Sequence, residues 1–161
     1  MANEGATPAR RHHGARHKAR EMILQAFYQC DISGENMERA VEQIAEDQAE
    51  GYGDMEYFRH IAVAAWRRLA EIDPWIAKGA DNWAPERISV VDRNILRLGV
   101  YELLATDLPI QVVINEAVEL SKRFGTEDSG RFINGVMDRI AGWLRVKGIR
   151  GPGQRDNPPQ D

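Results

Sequence analysis

Apolar residues along this chain recur mainly three and four positions apart, which is the spacing of residues on one face of an α-helix. Alternating apolar and polar runs, which indicate half-buried β-strands, are rare. Short segments rich in glycine, proline, serine and aspartate separate the periodic stretches. We therefore expect an all-α protein, a compact domain of about seven helices with short loops and no internal repeat.

The N-terminal half predicts four helices: 15–31, about 36–49, Asp54 through Ile72, and Asp73 to about Ala80. Ser33 or Asn36 can cap the second of these, because a short polar side chain accepts a hydrogen bond from a free backbone amide. Asp73 followed by Pro74 suits a helix start, since proline is tolerated at the first helical position.

The C-terminal half predicts three more helices, which start at Ser89, at Pro109, and at Thr126 or Asp128. Gly125 is a natural end for the second of these helices, because glycine is the residue most often found just past a helix C-terminus. The last helix should turn one apolar stripe towards the core, formed by Ile133, Val136, Met137, Ile140 and Leu144.

Charge is distributed unevenly along the 161 residues. The formal net charge is −4, but residues 1–20 alone carry +4 and the remainder therefore −8. We expect a disordered basic arm at 1–14, a helical domain at 15–147 and a flexible glycine- and proline-rich tail at 148–161. The local arm can bind phosphates although the protein is acidic, because salt screens charges beyond about 10 Å.

The composition argues against catalysis, cofactors and metals. Cys30 is the only cysteine, which excludes an internal disulfide, and it falls on an apolar helix as a small buried residue would. No nucleophile–base motif, phosphate loop or dinucleotide fingerprint is present. His13 and His17 are four residues apart but have no carboxylate or thiol at ligand spacing. No segment approaches the ~20 apolar residues of a membrane helix, and we expect a cytoplasmic protein without a membrane partner.

Two features favour binding to a polyanion. Arg16, Lys18 and Arg20 can neutralise phosphates, with Arg16 and Arg20 on one helix face; the alternative is a solvated terminus that only aids solubility. Phe132 follows Arg131 at the start of the last predicted helix, where an aromatic ring can stack on an unpaired base. The alternative is that Phe132 belongs to the core, and periodicity places it beside the inward stripe.

Longer motifs follow one another in order over residues 15–145. They are Arg16-x-Lys18-Ala19-Arg20-Glu21, Gln25-Ala26-Phe27-Tyr28, Val91-Asp92-Arg93-Asn94-Ile95-Leu96-Arg97-Leu98, Tyr101-Glu102-Leu103, Pro109, Ile114-Asn115-Glu116-Ala117-Val118-Glu119-Leu120, Lys122-x-Phe124-Gly125, Asp128-Ser129 and Phe132-Ile133-Asn134-Gly135-Val136-Met137-Asp138. In this order they resemble the NusB family. The arm departs from the family pattern, because His17 interrupts a run that is often all arginine.

The resemblance implies two three-helix bundles plus an N-terminal helix, and a protein that binds boxA RNA of nascent transcripts together with the ribosomal protein NusE. Such a complex supports transcription antitermination by RNA polymerase, notably on ribosomal RNA operons. The family's RNA-binding positions fall on Arg16, Lys18, Arg20, Lys122, Asp128, Arg131 and Phe132. Its partner-facing segments include Tyr28, Asp92 and Glu102. The resemblance leaves open whether the protein is a monomer or a homodimer.

Two other interpretations compete with this one. The first is an RNA-binding domain like that attached to ribosomal RNA cytosine methyltransferases, although 161 residues leave no room for the methyltransferase. The second is a helical protein–protein adaptor in which the basic arm has no role. Binding of boxA RNA with and without the arm separates the adaptor from the leading interpretation.

Overall fold

The computed structural model describes residues 8–48 and 53–150, and over these ranges it contains α-helices, one short 3-10 turn and no strand. The expected all-α fold of seven helices is thereby confirmed. The helices are α1 Pro8–Ser33, α2 Met37–Asp47, α3 Met55–Trp66, α4 Leu69–Gly79, α5 Val90–Ala105, α6 Ile110–Phe124 and α7 Ser129–Val146, with the 3-10 turn at Pro85–Arg87. The chain forms two compact units, Met1–Trp66 with α1–α3 and Arg67–Asp161 with α4–α7.

In the first unit, α1 packs against both α2 and α3. Its buried residues are mostly apolar, with Arg20 and Glu21 as charged exceptions, and the Phe27 ring lies 5.2 Å from the Trp66 ring, centroid to centroid. Helix α1 begins at Pro8 rather than at the predicted residue 15, so residues 8–14 of the predicted arm are helical. Residues 1–7 of that arm lie outside the described part of the chain.

The ends of the helices in this unit follow the local sequence. Gly34 has a φ of +72° and its amide donates to the Cys30 carbonyl at 2.9 Å, which ends α1 in the left-handed conformation that glycine adopts readily. The Asn36 side chain caps α2 by accepting from the Arg39 amide, and Asp54 caps α3 by accepting from the Tyr57 amide, each at 3.0 Å. Asn36 and Asp54 therefore act as predicted.

The Cys30 side chain is buried on α1, as the sequence predicts. Its sulfur lies 4.0 Å from that of Met37. Burial, and secondarily the negative charges of Glu35 and Glu38, raise the pKa of the thiol to about 11. Cys30 is therefore a protonated core residue at neutral pH rather than a reactive thiolate.

In the second unit, α5 is the central helix and packs against α4, α6 and α7. Ten consecutive residues of α5, from Asn94 to Leu103, are buried. A helix covered on most sides is held by its neighbours rather than by a single apolar stripe. The inward stripe predicted for α7 is confirmed, since all five of its members are buried.

The predicted helix boundary at Asp73 is wrong. α3 ends at Trp66, α4 begins at Leu69, and Pro74 lies within α4. Asp73 does not cap a helix, because its two carboxylate oxygens accept from the Arg97 guanidinium of α5, at 2.9 Å each. A bidentate pair of this kind binds a largely buried arginine more strongly than a single hydrogen bond does. The local sequence favours Asp73 as a helix cap, but in the folded protein its side chain forms an ion pair with Arg97 of another helix instead.

The turn between α6 and α7 also differs from the prediction. Gly125 ends α6 as expected, but its φ of −93° is not left-handed. Glycine is needed there for space, because a Cβ atom would lie 2.5 Å from the Ser129 Oγ. Neither Thr126 nor Asp128 caps α7 with its side chain; instead the Ser129 hydroxyl accepts from the Thr126 amide at 2.9 Å.

The first residues of the predicted flexible tail are ordered. Arg150 is 5% exposed, and its guanidinium donates to the carbonyls of Leu103 and Leu108. These carbonyls lie at and beyond the end of α5, where a helix leaves acceptors without partners of its own. The boundary predicted at 148 is therefore too early by at least three residues, and residues 151–161 lie outside the described part.

None of the described helices combines the length and the apolar character required to cross a membrane.

Gly79 and Gly142 form a matched pair for testing the packing of the second unit. A Cβ atom on Gly79 would lie 2.9 Å from side-chain carbons of both Val136 and Ile140, whereas one on Gly142 would meet nothing within 4 Å. We expect Gly79→Ala to lower the free energy of unfolding by about 1–3 kcal/mol through overpacking. Gly142→Ala should raise it by about 0.5–1 kcal/mol, because alanine is the better helix former.

Chemical denaturation of the two variants measures both effects. Equal changes in the two midpoints would contradict the close approach of α4 to α7, because helix propensity alone favours alanine at either site.

Candidate nucleic-acid interface

The basic segment in the first unit is held by α3. The Arg16 guanidinium stacks 3.9 Å from the centre of the Tyr57 ring, and its Nε lies 3.3 Å from Asp54. The Asp54 amide also donates to the Ala15 carbonyl at 2.9 Å. The segment before α3 and the basic part of α1 are thus joined by backbone and side chain together, which orients Arg16 before any ligand binds.

Lys18 and His17 lie on the same stretch of α1. The Lys18 ammonium is 3.7 Å from Glu21, and a ring nitrogen of His17 is 3.3 Å from the same carboxylate. Lys18 is partly exposed, and its ammonium lies at the long distance of 3.7 Å from the buried Glu21 carboxylate, so its side chain can also reach a phosphate. Arg16 and Lys18 are therefore the accessible cations among the three predicted in this segment.

Arg20 does not fit the prediction of a direct RNA contact. It is 2% exposed, and its guanidinium lies 5.6 Å from the centre of the Tyr57 ring. The i, i+4 spacing did place Arg16 and Arg20 on one helix face, as predicted, but that face is covered by α3 at Arg20. We interpret Arg20 as a residue that supports the surface from within.

A shallow cavity of about 330 Å³ opens beside this stack, lined by Arg16, Asp54, Glu56, Tyr57 and His60. Two of its walls are carboxylates, which reduce the net positive charge that a phosphate would meet. Tyr57 and Asp54 were not among the predicted site residues. Tyr57 and Asp54 become candidate site residues because α3 places them against Arg16 of α1. The sequence did not predict this contact; it predicted Asp54 only as a helix cap.

In the second unit, Phe132 lies near the start of α7 and is half-buried. It lines a cavity of about 230 Å³ between the starts of α5 and α7, together with Trp83, Arg87, Ile88, Ser89, Asp92, Thr126, Asp128 and Ser129. Half-burial leaves part of the ring open to a ligand, so Phe132 is neither a core residue nor a free surface residue. The cavity adds a second aromatic side chain, Trp83, which is 59% exposed and was not predicted.

The cavity contains a carboxylate with an unused acceptor. Asp92 Oδ1 is buried and has no hydrogen-bond partner in the structure. The backbone of the same residue is fixed, since its amide donates at 3.2 Å to the hydroxyl of Ser89, the N-cap of α5. The next residue, Arg93, holds the 3-10 turn in place by donating to the carbonyls of Pro85 and Ile88. The cavity therefore contains one buried carboxylate oxygen whose hydrogen bond is not made within the described residues.

The structure brings Asp92, Asp128 and Phe132 to one cavity, although the sequence placed Asp92 with the partner-facing residues. Arg131 is exposed one residue before Phe132. Lys122 is exposed on α6, where its ammonium pairs with Glu119 at 3.0 Å, the intrahelical contact expected from their spacing. Both cations are accessible to an anionic ligand.

The two other predicted partner residues differ in exposure. Tyr28 is 45% exposed on α1, within reach of another protein. Glu102 is 1% exposed within α5, so its carboxylate cannot contact a partner directly. Over residues 8–48 and 53–150, no group of three or more His, Cys, Asp or Glu side chains is arranged to hold a metal ion.

The sequence profile of one protein family, described as the NusB family, matches residues 17–142, a span that begins just after Arg16 and holds Tyr57 and the residues of the Phe132 cavity. The chain belongs to the NusB family. Its relatives include the transcription antitermination protein NusB of Anaeromyxobacter sp. (strain Fw109-5), which is 46% identical over 133 residues, or 80% of this chain and 91% of the relative.

Solved structures of NusB proteins have the same fold. The T. maritima NusB crystal structure is 39% identical, with a TM-score of 0.71, and the match covers 79% of this chain and 90% of that one. A crystal structure of the antitermination factors NusB and NusE in complex with double-stranded RNA matches at 29% identity and a TM-score of 0.67. That match covers 79% of this chain and 96% of the other.

Arg16 and Arg20 allow a test of which cation is structural. We expect Arg20→Ala to lower the free energy of unfolding by about 1.5–3 kcal/mol, because the change leaves a cavity where a side chain is now 2% exposed and removes its contact with the Tyr57 ring. Arg16→Ala should cost less than about 1 kcal/mol, since its ion pair and ring contact are partly exposed.

Urea denaturation of both variants at one salt concentration measures the difference. If Arg20→Ala were as stable as the parent protein, Arg20 would not have the supporting role that its burial indicates.

Proposed function

We propose that this protein binds boxA RNA of nascent transcripts together with NusE and thereby supports transcription antitermination. The observation that carries the proposal is the similarity of the chain, over 79% of its length, to NusB in a complex of NusB, NusE and RNA. Curated relatives named transcription antitermination protein NusB support the same role.

Within this proposal, Arg16 and Lys18 neutralise phosphates in the first unit, and Lys122 and Arg131 do so in the second. Phe132 stacks on an unpaired base at the mouth of its cavity, next to the acceptors of Asp128. Arg20 orients the basic segment without contacting RNA. Attraction between these cations and the RNA phosphates does not depend on the RNA sequence and supplies most of the affinity. The stacked base adds selectivity for single-stranded RNA.

NusE contacts fall on the exposed residues of the predicted set. Tyr28 offers an exposed aromatic ring, which is a residue type enriched at protein interfaces. Asp92 is half-buried, and its buried Oδ1 has no hydrogen-bond partner among the described residues, so a donor from a protein neighbour reaches it only when the cavity residues shift. Glu102 influences the partner surface only by supporting α5 from within.

The mechanism requires no chemical step, so the protein acts as a non-catalytic cytoplasmic RNA-binding factor in the antitermination complex of RNA polymerase. Its contribution is to hold one segment of the transcript and one protein partner together. The rival adaptor function makes a different prediction, since an adaptor binds NusE but not RNA.

Cooperative binding of RNA and NusE is the first test. We expect this chain with NusE to bind a boxA RNA about 5- to 150-fold more tightly than the chain alone, the usual range of coupling between sites. By linkage, boxA RNA should tighten the binding of NusE to this chain by the same factor.

Fluorescence anisotropy of labelled boxA RNA, in one buffer and with a scrambled RNA as control, measures both affinities. Binding of NusE without any RNA binding would favour the adaptor and contradict the proposal.

Phe132 provides the second test. We expect Phe132→Ala to weaken boxA binding by about 1–3 kcal/mol, the range for loss of one base–aromatic stack. Because the ring is only half-buried, the loss of folding free energy should stay below the roughly 3–5 kcal/mol of a fully buried phenylalanine.

Phe124→Ala is the matched control, because Phe124 is an exposed phenylalanine of the same unit that does not line the cavity. RNA titration and chemical denaturation are made on both variants. Equal losses of RNA affinity in the two variants, or a loss of stability without loss of affinity in Phe132→Ala, would exclude stacking at Phe132.

A further inference from the structure

The C-terminal ends of α4 and α7 carry a cluster of tryptophans and lysines that the residues above do not include. The Lys78 ammonium lies 4.3 Å from the centre of the Trp143 ring and 5.7 Å from that of Trp75. The Lys147 ammonium lies 5.5 Å from the Trp75 ring. Two cations thus stand over two aromatic rings, with both lysines exposed and both tryptophans half-buried.

Close packing of α4 against α7 builds this cluster. Gly79, the last residue of α4, has no side chain to separate it from Val136 and Ile140. The Arg139 guanidinium of α7 also donates to the Gly79 carbonyl at 2.8 Å. Lys78, the residue before Gly79, is thereby held over the ring of Trp143.

The cluster is continuous with the proposed RNA-binding end of α7. Phe132, Arg139 and Trp143 lie on one face of that helix, because seven and eleven residues are close to two and three full turns. The Arg139 guanidinium crosses this face midway, near Gly135, where a Cβ atom would lie 3.5 Å from it. Phe132 and Trp143 are separated by about 16 Å along the helix axis, at 1.5 Å per residue.

The charges along this face favour an anion. Lys78, Arg139 and Lys147 are positive and exposed. Asp138 is exposed next to Arg139 but about 100° away around the helix. Cations interleaved with aromatic rings are the surface that binds the backbone and bases of single-stranded nucleic acid.

We propose that the Trp75–Lys78–Trp143–Lys147 cluster is a second RNA contact, which binds single-stranded nucleotides flanking the boxA segment. The lysines bind phosphates, and the tryptophans hold the ammonium groups in place while their exposed parts contact bases. Arg139 lies between the Phe132 cavity and this cluster on the same face of α7 and adds a positive charge there. This inference rests on the proposed RNA-binding function and extends it to RNA outside boxA.

The test compares a boxA RNA with the same RNA extended by about ten unpaired nucleotides at either end, a length within the site sizes of single-strand-binding domains. The full chain is titrated with each RNA over a salt series. We expect the extended RNA to bind more tightly.

Lys78→Glu with Lys147→Glu should remove that gain and lower the salt slope for the extended RNA by about 0.7 per lost phosphate contact, or about 1.4. Affinity for the short RNA should stay within about twofold, since salt screens charges beyond about 10 Å.

Two controls separate a local contact from bulk charge and from misfolding. Arg39→Glu with Arg59→Glu changes net charge equally on exposed residues of the first unit and should keep the gain from extension. Lys78→Arg with Lys147→Arg preserves charge and ring contact and should also keep it. Chemical denaturation checks that each variant folds.

The outcomes distinguish this inference from the function on which it rests. If the parent protein binds short boxA RNA and gains nothing from extension, or if the glutamate variant retains the gain, the second contact is excluded and boxA binding stands. If the glutamate variant loses short and extended RNA equally, the cluster is not a separate contact. Failure of short boxA RNA to bind the parent protein contradicts the proposed function itself.

Discussion

Close packing of α7 against α4 and α5 is the constraint on which the second unit depends. Gly79 and Gly99 make it possible, because a Cβ atom on either would lie within 3.0 Å of α7 side chains. The bidentate Arg97–Asp73 pair adds a directional bond between α4 and α5. With α7 fixed in this way, its N-terminal end closes the Phe132 cavity and its C-terminal end meets Lys78. Both proposed RNA contacts of this unit thus follow from one packing arrangement.

The first unit prepares its interface differently. Arg16 is held between the Tyr57 ring and the Asp54 carboxylate before any RNA arrives. Such an arrangement lowers the entropy lost on binding, but it also places a negative charge next to the cation. Because Asp54 offsets part of its charge, the Arg16 guanidinium is better suited to stacking and directional hydrogen bonds with RNA than to a purely ionic contact. Arg20, behind the same ring, stabilises this arrangement without exposing its own charge.

These features describe a protein that works through surfaces rather than through an enclosed reaction site. The two cavities beside the proposed contacts are shallow and bordered by polar groups. Affinity in such a case comes from several modest contacts, which makes it sensitive to salt and to a second protein. The proposed cooperation between RNA and NusE relies on this sensitivity.

The sequence by itself determined the number and order of the helices, the caps at Asn36 and Asp54 and the inward stripe of α7, because the helical repeat and the capping residues act locally. It also determined the family, through motifs spread over most of the chain. Only the tertiary structure decided that Arg20 and Glu102 are buried, that Asp73 pairs with Arg97, and that Arg150 binds carbonyls beyond α5. The physical reason is that periodicity shows which residues share a face, whereas their exposure and partners depend on the helix packed against that face.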